Sequence, residues 1–332
     1  MLPEYAAGAR NAVRVCLNIG PGDRVTVVDD RARKDIADAI LEESEAAGAK
    51  AERFTIEDWI ARPALEFPTP LRQAIDAFGP TASFYVGDGL PGELAFRQPL
   101  LDLVRLKRLR HGHMIGITRE LMLDGMAGDY EEIYRVTRAT HERVKQARLI
   151  EVRTELGTDL RATFNPAWRW VSSDGRYWEP GQWGNLPEGE VFTAPQRLDG
   201  ILVGEEMGDH FAPTYGLFEE PVRIQVENSR VREVTMPGHA DIVRQIESYF
   251  AQHPESNRAA EFAIGTNVGL TRIVGNFLQD EKFPGNHVAF GDPYGSETGA
   301  DWEAPSHVDV LASRADIWVD GDQIMRRGKL LV

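Results

Sequence analysis

A change of texture a little before the middle of the 332-residue chain restricts its fold more than any other feature. Ahead of it, helical and strand-like stretches alternate. Residues 6–18 carry Ala, Val and Leu at helical spacing, and Gly20-Pro21-Gly22-Asp23 breaks the pattern. Arg24-Val25-Thr26-Val27-Val28-Asp29-Asp30 reads as a buried strand, residues 33–47 as a helix closed by Gly48, and Ala51 to Ile56 as a second strand. Such alternation builds a parallel layer, because parallel neighbours need a crossover and a helix supplies it. Ala82–Val86 and Met114–Thr118 add two strands, and residues 128–148 a long polar helix.

Beyond residue 148, strand-like runs follow one another at Leu149–Thr154, Leu160–Phe164, Gly200–Val203, Val222–Val226 and Val231–Met236, between Gly, Asp and Pro turns. A helix at about 239–252 and strands at 287–290, 307–312 and 316–319 complete the pattern. The sequence therefore predicts an α/β N-terminal domain with a mainly parallel sheet over residues 1–148. A β-rich α+β C-terminal domain, carrying the candidate metal site, is expected over 149–332.

Charge narrows the partners. With 37 Lys and Arg against 52 Asp and Glu, the net charge of −15 disfavours nucleic acid, whose phosphates need a basic face. A single cysteine, Cys16, allows no intrachain disulfide, and its helical apolar setting reads as a packed core thiol. No apolar run approaches the ~20 residues that span a bilayer, and the start has no basic, then apolar leader. A cytoplasmic protein with no membrane partner is expected.

Three motifs in the first half carry little chemistry. Gly87-Asp88-Gly89-Leu90-Pro91-Gly92 matches a dinucleotide pattern, but Pro91 sits where a helix should open and no carboxylate follows at the required distance, so a plain loop is expected. His111-Gly112-His113 lacks acidic or Cys partners and reads as a surface loop beside Arg108 and Arg110. His141-Glu142 has no second His at zincin spacing.

The second half is different. Glu190 lies between a Pro/Gly turn and a short apolar strand, Glu261 within Ala260-Glu261-Phe262-Ala263-Ile264, His287 within Asn286-His287-Val288-Ala289-Phe290, and His307 and Asp309 within Ser306-His307-Val308-Asp309-Val310. Carboxylates are almost never fully buried unless paired or bound to a cation. Strand alternation puts His307 and Asp309 on one face and Val308 and Val310 on the other. From spacing alone, satisfied structural groups and metal ligands stand equal. Two divalent cations against Glu190, Glu261, Asp309 and a bridging hydroxide would make a neutral cluster. Imidazole and carboxylate donors suit zinc, cobalt, manganese or iron.

At these residues the sequence resembles the thermophilic metallopeptidase family of aminopeptidase T, aminopeptidase S and PepS, over nearly the whole chain. The resemblance rests on Asn185-Leu186-Pro187-Glu188-Gly189-Glu190-Val191-Phe192-Thr193-Ala194-Pro195, on Ala260-Glu261-Phe262-Ala263-Ile264-Gly265-Thr266-Asn267, on His287-Val288-Ala289-Phe290-Gly291, on Tyr294, and on Ser306-His307-Val308-Asp309. It implies that Glu190, Glu261, His287, His307 and Asp309 hold two divalent ions (zinc, cobalt or manganese), with Glu261 as the bridge. Tyr294 would hydrogen-bond a developing oxyanion; apart from the resemblance, a carboxylate not fully engaged with metal, Glu190, is expected to shuttle a proton to the leaving amine. A thermophilic-metalloprotease-like fold, a homodimer and aminopeptidase activity on small peptides come with it.

The chain is shorter than the usual members of that family. Glu179-Pro180-Gly181-Gln182-Trp183 looks closer to a divergent branch, the 2,5-dihydroxypyridine dioxygenases, which hold one iron(II) through two histidines and a carboxylate. The alternative expectation is thus a ring-cleaving oxygenase for a hydroxylated pyridine or related small molecule, with His287, His307 and Asp309 as its triad. A third is a binding protein that keeps a structural metal without turnover.

Overall fold

The β-branched run after Gly22 forms the strand Arg24–Asp29, in which Val25, Val27 and Val28 are fully buried. In the computed structural model, which describes residues 2–332, it pairs in parallel with Lys50–Thr55 on one side and Ala82–Gly87 on the other. Arg110–Ile115 and then Trp183–Asn185 extend the same parallel sheet. Helices Lys34–Ala46, Thr69–Phe78 and Leu94–Lys107 make the crossovers between its first four strands. Pro70 lies in the first turn of Thr69–Phe78, where its missing N–H costs nothing, and Pro99 lies inside Leu94–Lys107. The dinucleotide-like pattern forms the expected loop: Gly87 ends a strand and the next helix opens only at Leu94. Cys16 is buried as anticipated.

One expectation is overturned. His111 and His113 do not lie in a surface loop; they are buried in the strand Arg110–Ile115. That strand is interior to the sheet because Trp183–Asn185, a three-residue segment from far along the chain, covers its outer edge. The ring of His111 meets Ser83 Oγ at 2.8 Å through Nδ1 and His113 Nδ1 at 3.2 Å through Nε2, while Tyr85 stacks on His113.

The rest of the chain is antiparallel. An eight-stranded sheet runs in the order Arg230–Thr235, Val222–Glu227, Arg197–Gly204, Asp159–Thr163, Leu149–Arg153, Asp316–Val319, Asp322–Arg326 and Lys329–Leu330. A six-stranded sheet runs Glu206–Met207, His307–Ser313, Gly285–Gly291, Ala259–Gly265, Glu190–Thr193 and Val171–Ser173. Their apolar faces share one core, with Ile150, Val152, Leu160, Leu202, Ile224 and Ile317 from the first sheet. The second sheet contributes Val191, Phe262, Ile264, Val288, Phe290, Val308 and Val310.

Two compact units result, a mixed α/β architecture with one parallel sheet and two antiparallel ones. The first runs from the N-terminus to Glu131 and takes in Gly175–Glu188; the second comprises Glu132–Asp174 and Gly189–Val332. The expected boundary at 148/149 falls within the second unit. Val144 and Ala147, at and just past the end of the helix Tyr130–Val144, pack into the antiparallel core, so burial and not the first strand decides where that unit begins. Among the described residues no helix is long and apolar enough to cross a membrane.

Candidate metal centre

All six residues singled out by the sequence fall in the second unit, five of them on strands or at a strand end of the six-stranded sheet. Since Val191, Phe262, Val288, Val308 and Val310 point into the core, alternation turns Glu190, Glu261, His287, His307 and Asp309 to the opposite face. Register then brings them together. Glu261 and Asp309 flank Ala289 on its two neighbouring strands, Ala263 lies opposite His287, and Gly265 lies opposite Glu190. Small residues at 263, 265 and 289 leave the space that the longer side chains fill.

The convergence is close. His287 Nε2 lies 3.3 Å from Glu190 Oε2 and 3.4 Å from Glu261 Oε1, and 4.0 Å from Asp309 Oδ1. His307 Nε2 lies 3.7 Å from Glu261 Oε2 and 3.4 Å from Asp309 Oδ2. Glu261 and Asp309 therefore each turn one oxygen toward each histidine. Donor atoms around a metal bound at roughly 2.0–2.2 Å stand just over 3 Å apart, and two groups have one donor each within reach of a common ion: Glu190, Glu261 and His287, and Glu281, His287 and Asp309.

Other observations support the fit. Glu190 Oε2 and Asp309 Oδ1 are buried and accept no hydrogen bond. His307 Nδ1 lies 2.8 Å from the carbonyl oxygen of Asp292; as a donor there it would leave Nε2 with a free lone pair toward the cluster. Burial disfavours a charged ring at His307, yet Asp309 and Glu261 reverse that and push it up to about 10. An assembly that draws protons onto buried imidazoles is short of positive charge. Nitrogen and carboxylate donors without thiolate suit zinc, cobalt, manganese or iron.

Two neighbours had no signature in the sequence. Lys282, fully buried, places Nζ 2.7 Å from Glu190 Oε1 and 2.8 Å from Glu281 Oε1. Glu281 also lies within ligand reach of His287 and Asp309. Burial opposes ionisation of Glu190, but Lys282 and His287 outweigh it and bring its carboxyl down to about 2. Burial instead raises Glu281 to about 7, against the pull of Lys282. Tyr294 is 42 % exposed, and its ring centre lies 4.4 Å from that of His307.

Comparison with known proteins reaches both branches of the resemblance. A family model described as NicX, 2,5-dihydroxypyridine 5,6-dioxygenase, matches residues 115–268. A 2,5-dihydroxypyridine 5,6-dioxygenase of Pseudomonas putida KT2440 is 28% identical over 200 residues, which are 57% of this chain. The match spans about 55% of that relative's length. Among solved structures, 2,5-dihydroxypyridine dioxygenase from P. putida KT2440 superposes with a TM-score of 0.73 at 18% identity, covering 99% of this chain and 97% of its own. Wild-type AmpT from Thermus thermophilus superposes with a TM-score of 0.70 at 18% identity, covering 99% of both chains. The chain thus has the fold common to AmpT and the dioxygenase, and it resembles the aminopeptidase T family as well as its dioxygenase-like branch.

Proposed function

We propose that the protein is a metal-dependent hydrolase that removes N-terminal residues from small peptides. The observation that carries this reading is the placement of Glu261 and Asp309 between His287 and His307, each carboxylate turning one oxygen toward each ring. Divalent ions held there would polarise a carbonyl and lower the pKa of bound water to about 7. The chain's own residues divide the remaining work. Asp292 fixes the ring of His307, and Lys282 keeps Glu190 ionised with Oε2 turned inward. At about 2, Glu190 is better suited to holding a cation than to exchanging protons near neutral pH. Glu281, at about 7, has the proton affinity for taking a proton and returning it to a leaving amine. The Tyr294 hydroxyl would donate to the oxyanion as charge develops. The substrate's α-amine would pair with a cluster carboxylate, selecting the chain end of a peptide.

A second reading is a mononuclear iron(II) ring-cleaving dioxygenase, favoured by the match over residues 115–268 and by the 28% identical relative. His287, His307 and Asp309 would then form the triad. Metal analysis of protein purified without added metal, with parallel assays, separates the two. About two zinc, cobalt or manganese ions per chain and release of an N-terminal residue from a dipeptide support the hydrolase. One iron with oxygen uptake on a dihydroxypyridine would replace it.

A further inference from the structure

A groove of about 430 Å³ lies wholly within the second unit, and none of the candidate metal ligands lines it. Its floor is apolar: Val136 on the helix Tyr130–Val144, then Val268, Leu270, Phe283 and Leu330. Val136, Leu270 and Phe283 are buried, whereas Val268 is exposed. Small-molecule pockets run from roughly 300 to 1,000 Å³, so the groove has the size of one.

The rim is cationic, on a chain whose net charge is −15. Arg135, Arg314, Arg327 and Lys329 line the groove, and Glu132 stands against them. Arg135 is paired with Glu132 at 2.7 Å and Arg327 with Glu155 at 3.1 Å. Among the described residues, the side chains of Arg314 and Lys329 have no hydrogen bond or ion pair; the Arg314 guanidinium stands 5.9 Å from the centre of the Phe283 ring.

Two touching turns gather these charges. Arg314, between the strands His307–Ser313 and Asp316–Val319, has φ 51°. Arg327 and Gly328, between Asp322–Arg326 and Lys329–Leu330, have φ 47° and 76°. A Cβ at Gly328 would stand 2.9 Å from the Pro284 carbonyl oxygen and 3.1 Å from Arg314 Cα, so only glycine lets the turns approach. The Arg314 N–H donates to that same carbonyl at 3.3 Å, and the Gly328 N–H to the Ala315 carbonyl at 2.9 Å.

We propose that this groove is a second ligand site, for a small molecule with an apolar tail and a carboxylate head. The tail lies over Val136, Leu270 and Phe283, and the head meets Arg314 and Lys329. The site does not depend on the activity proposed for the metal centre. A planar guanidinium matches the two oxygens of a carboxylate, which selects that head over an amine or an alcohol. A small molecule fits better than a peptide strand, because the outermost strand of the sheet here, Lys329–Leu330, is only two residues long.

The test is calorimetric titration of the full-length chain with sodium octanoate, with octylamine and acetate as controls. One octanoate per chain is expected to bind with Kd below about 1 mM, and about tenfold or more tightly than either control. Arg314→Gln combined with Lys329→Gln should weaken octanoate by about tenfold, and Val268→Glu should abolish its binding, with the melting temperature of each variant unchanged. No binding at millimolar octanoate, octylamine bound as tightly, or an affinity unmoved in the folded double variant overturns the inference. A wild-type dimer that Val268→Glu dissociates in sedimentation velocity overturns it as well, because a second copy of the chain then covers the groove.

Discussion

At the residue scale, the oxygens of Glu261 divide the cluster: Oε1 faces His287 and Oε2 faces His307. Glu261→Gln keeps the size of the side chain but replaces one donor oxygen with an NH2 group, so one half loses its shared ligand. The expected outcome is a fall from two bound ions to one in equilibrium dialysis, with little change in melting temperature of the metal-free chain. Two ions bound by the variant would show that the carboxylate is not the bridge. Tyr294 acts at a different stage. As a donor that matters only when charge develops, Tyr294→Phe should lower kcat by about 10²–10³ with metal content and KM nearly unchanged. A variant as active as the wild type would remove the hydroxyl from the chemistry. Glu261, like the other four candidate ligands, stood out in the sequence as a charged or imidazole side chain inside an apolar run, whereas Tyr294 was marked by the family resemblance alone. Lys282 and Glu281 were not visible. They follow the one-turn helix Phe277–Asp280 in a connecting segment, where a charged pair is ordinarily solvated; in the fold Lys282 is buried and Glu281 half-buried.

At the scale of elements, the outcome depends on which strands turned out to be interior. In the six-stranded sheet, Val and Phe alternate cleanly with the candidate ligands; alternation in the sequence put His307 and Asp309 on one face of their strand, and strand pairing brings the others to the same side. The strand Arg110–Ile115 gave no such signal. Arg-His-Gly-His has neither β-branched residues nor alternation, and its burial comes from neighbours on both edges. A titration consequence follows. Burial brings His111 down to about 3, and burial with His111 and Arg97 nearby brings His113 well below its ordinary value. The folded chain holds both rings neutral, whereas the unfolded chain protonates them below about pH 6.5. The unfolded state thus binds more protons as pH falls from about 6.5 toward 3, and stability drops over that window; above it the two rings add no slope. Urea unfolding at about pH 7 and about pH 5 should show a loss for the wild type that His113→Phe reduces by up to about 1.4 kcal/mol per pH unit. An identical pH dependence in the variant would mean that His113 titrates normally in the folded chain.

At the scale of the whole molecule, the chain crosses between its two units more than once, which a single texture boundary cannot express. The sequence marked the first strand of the antiparallel region correctly at Leu149, but not the helix end that packs ahead of it, because residues 128–148 look uniformly polar. Nor did it mark Gly175–Glu188, whose only strand is three residues long and lacks a strand-like pattern. Val144 tests the division. It is fully buried and belongs to the core shared by the antiparallel sheets, although it precedes the expected boundary. Val144→Ala removes two methyl groups from that core, costing about 2 kcal/mol. Hydrogen exchange should then accelerate in Leu149–Arg153 and Asp316–Val319, the paired strands of that unit, with Arg24–Asp29 and Ala82–Gly87 left at wild-type rates. Faster exchange confined to the parallel sheet would instead place the helix end with the first unit and return the division to residue 148.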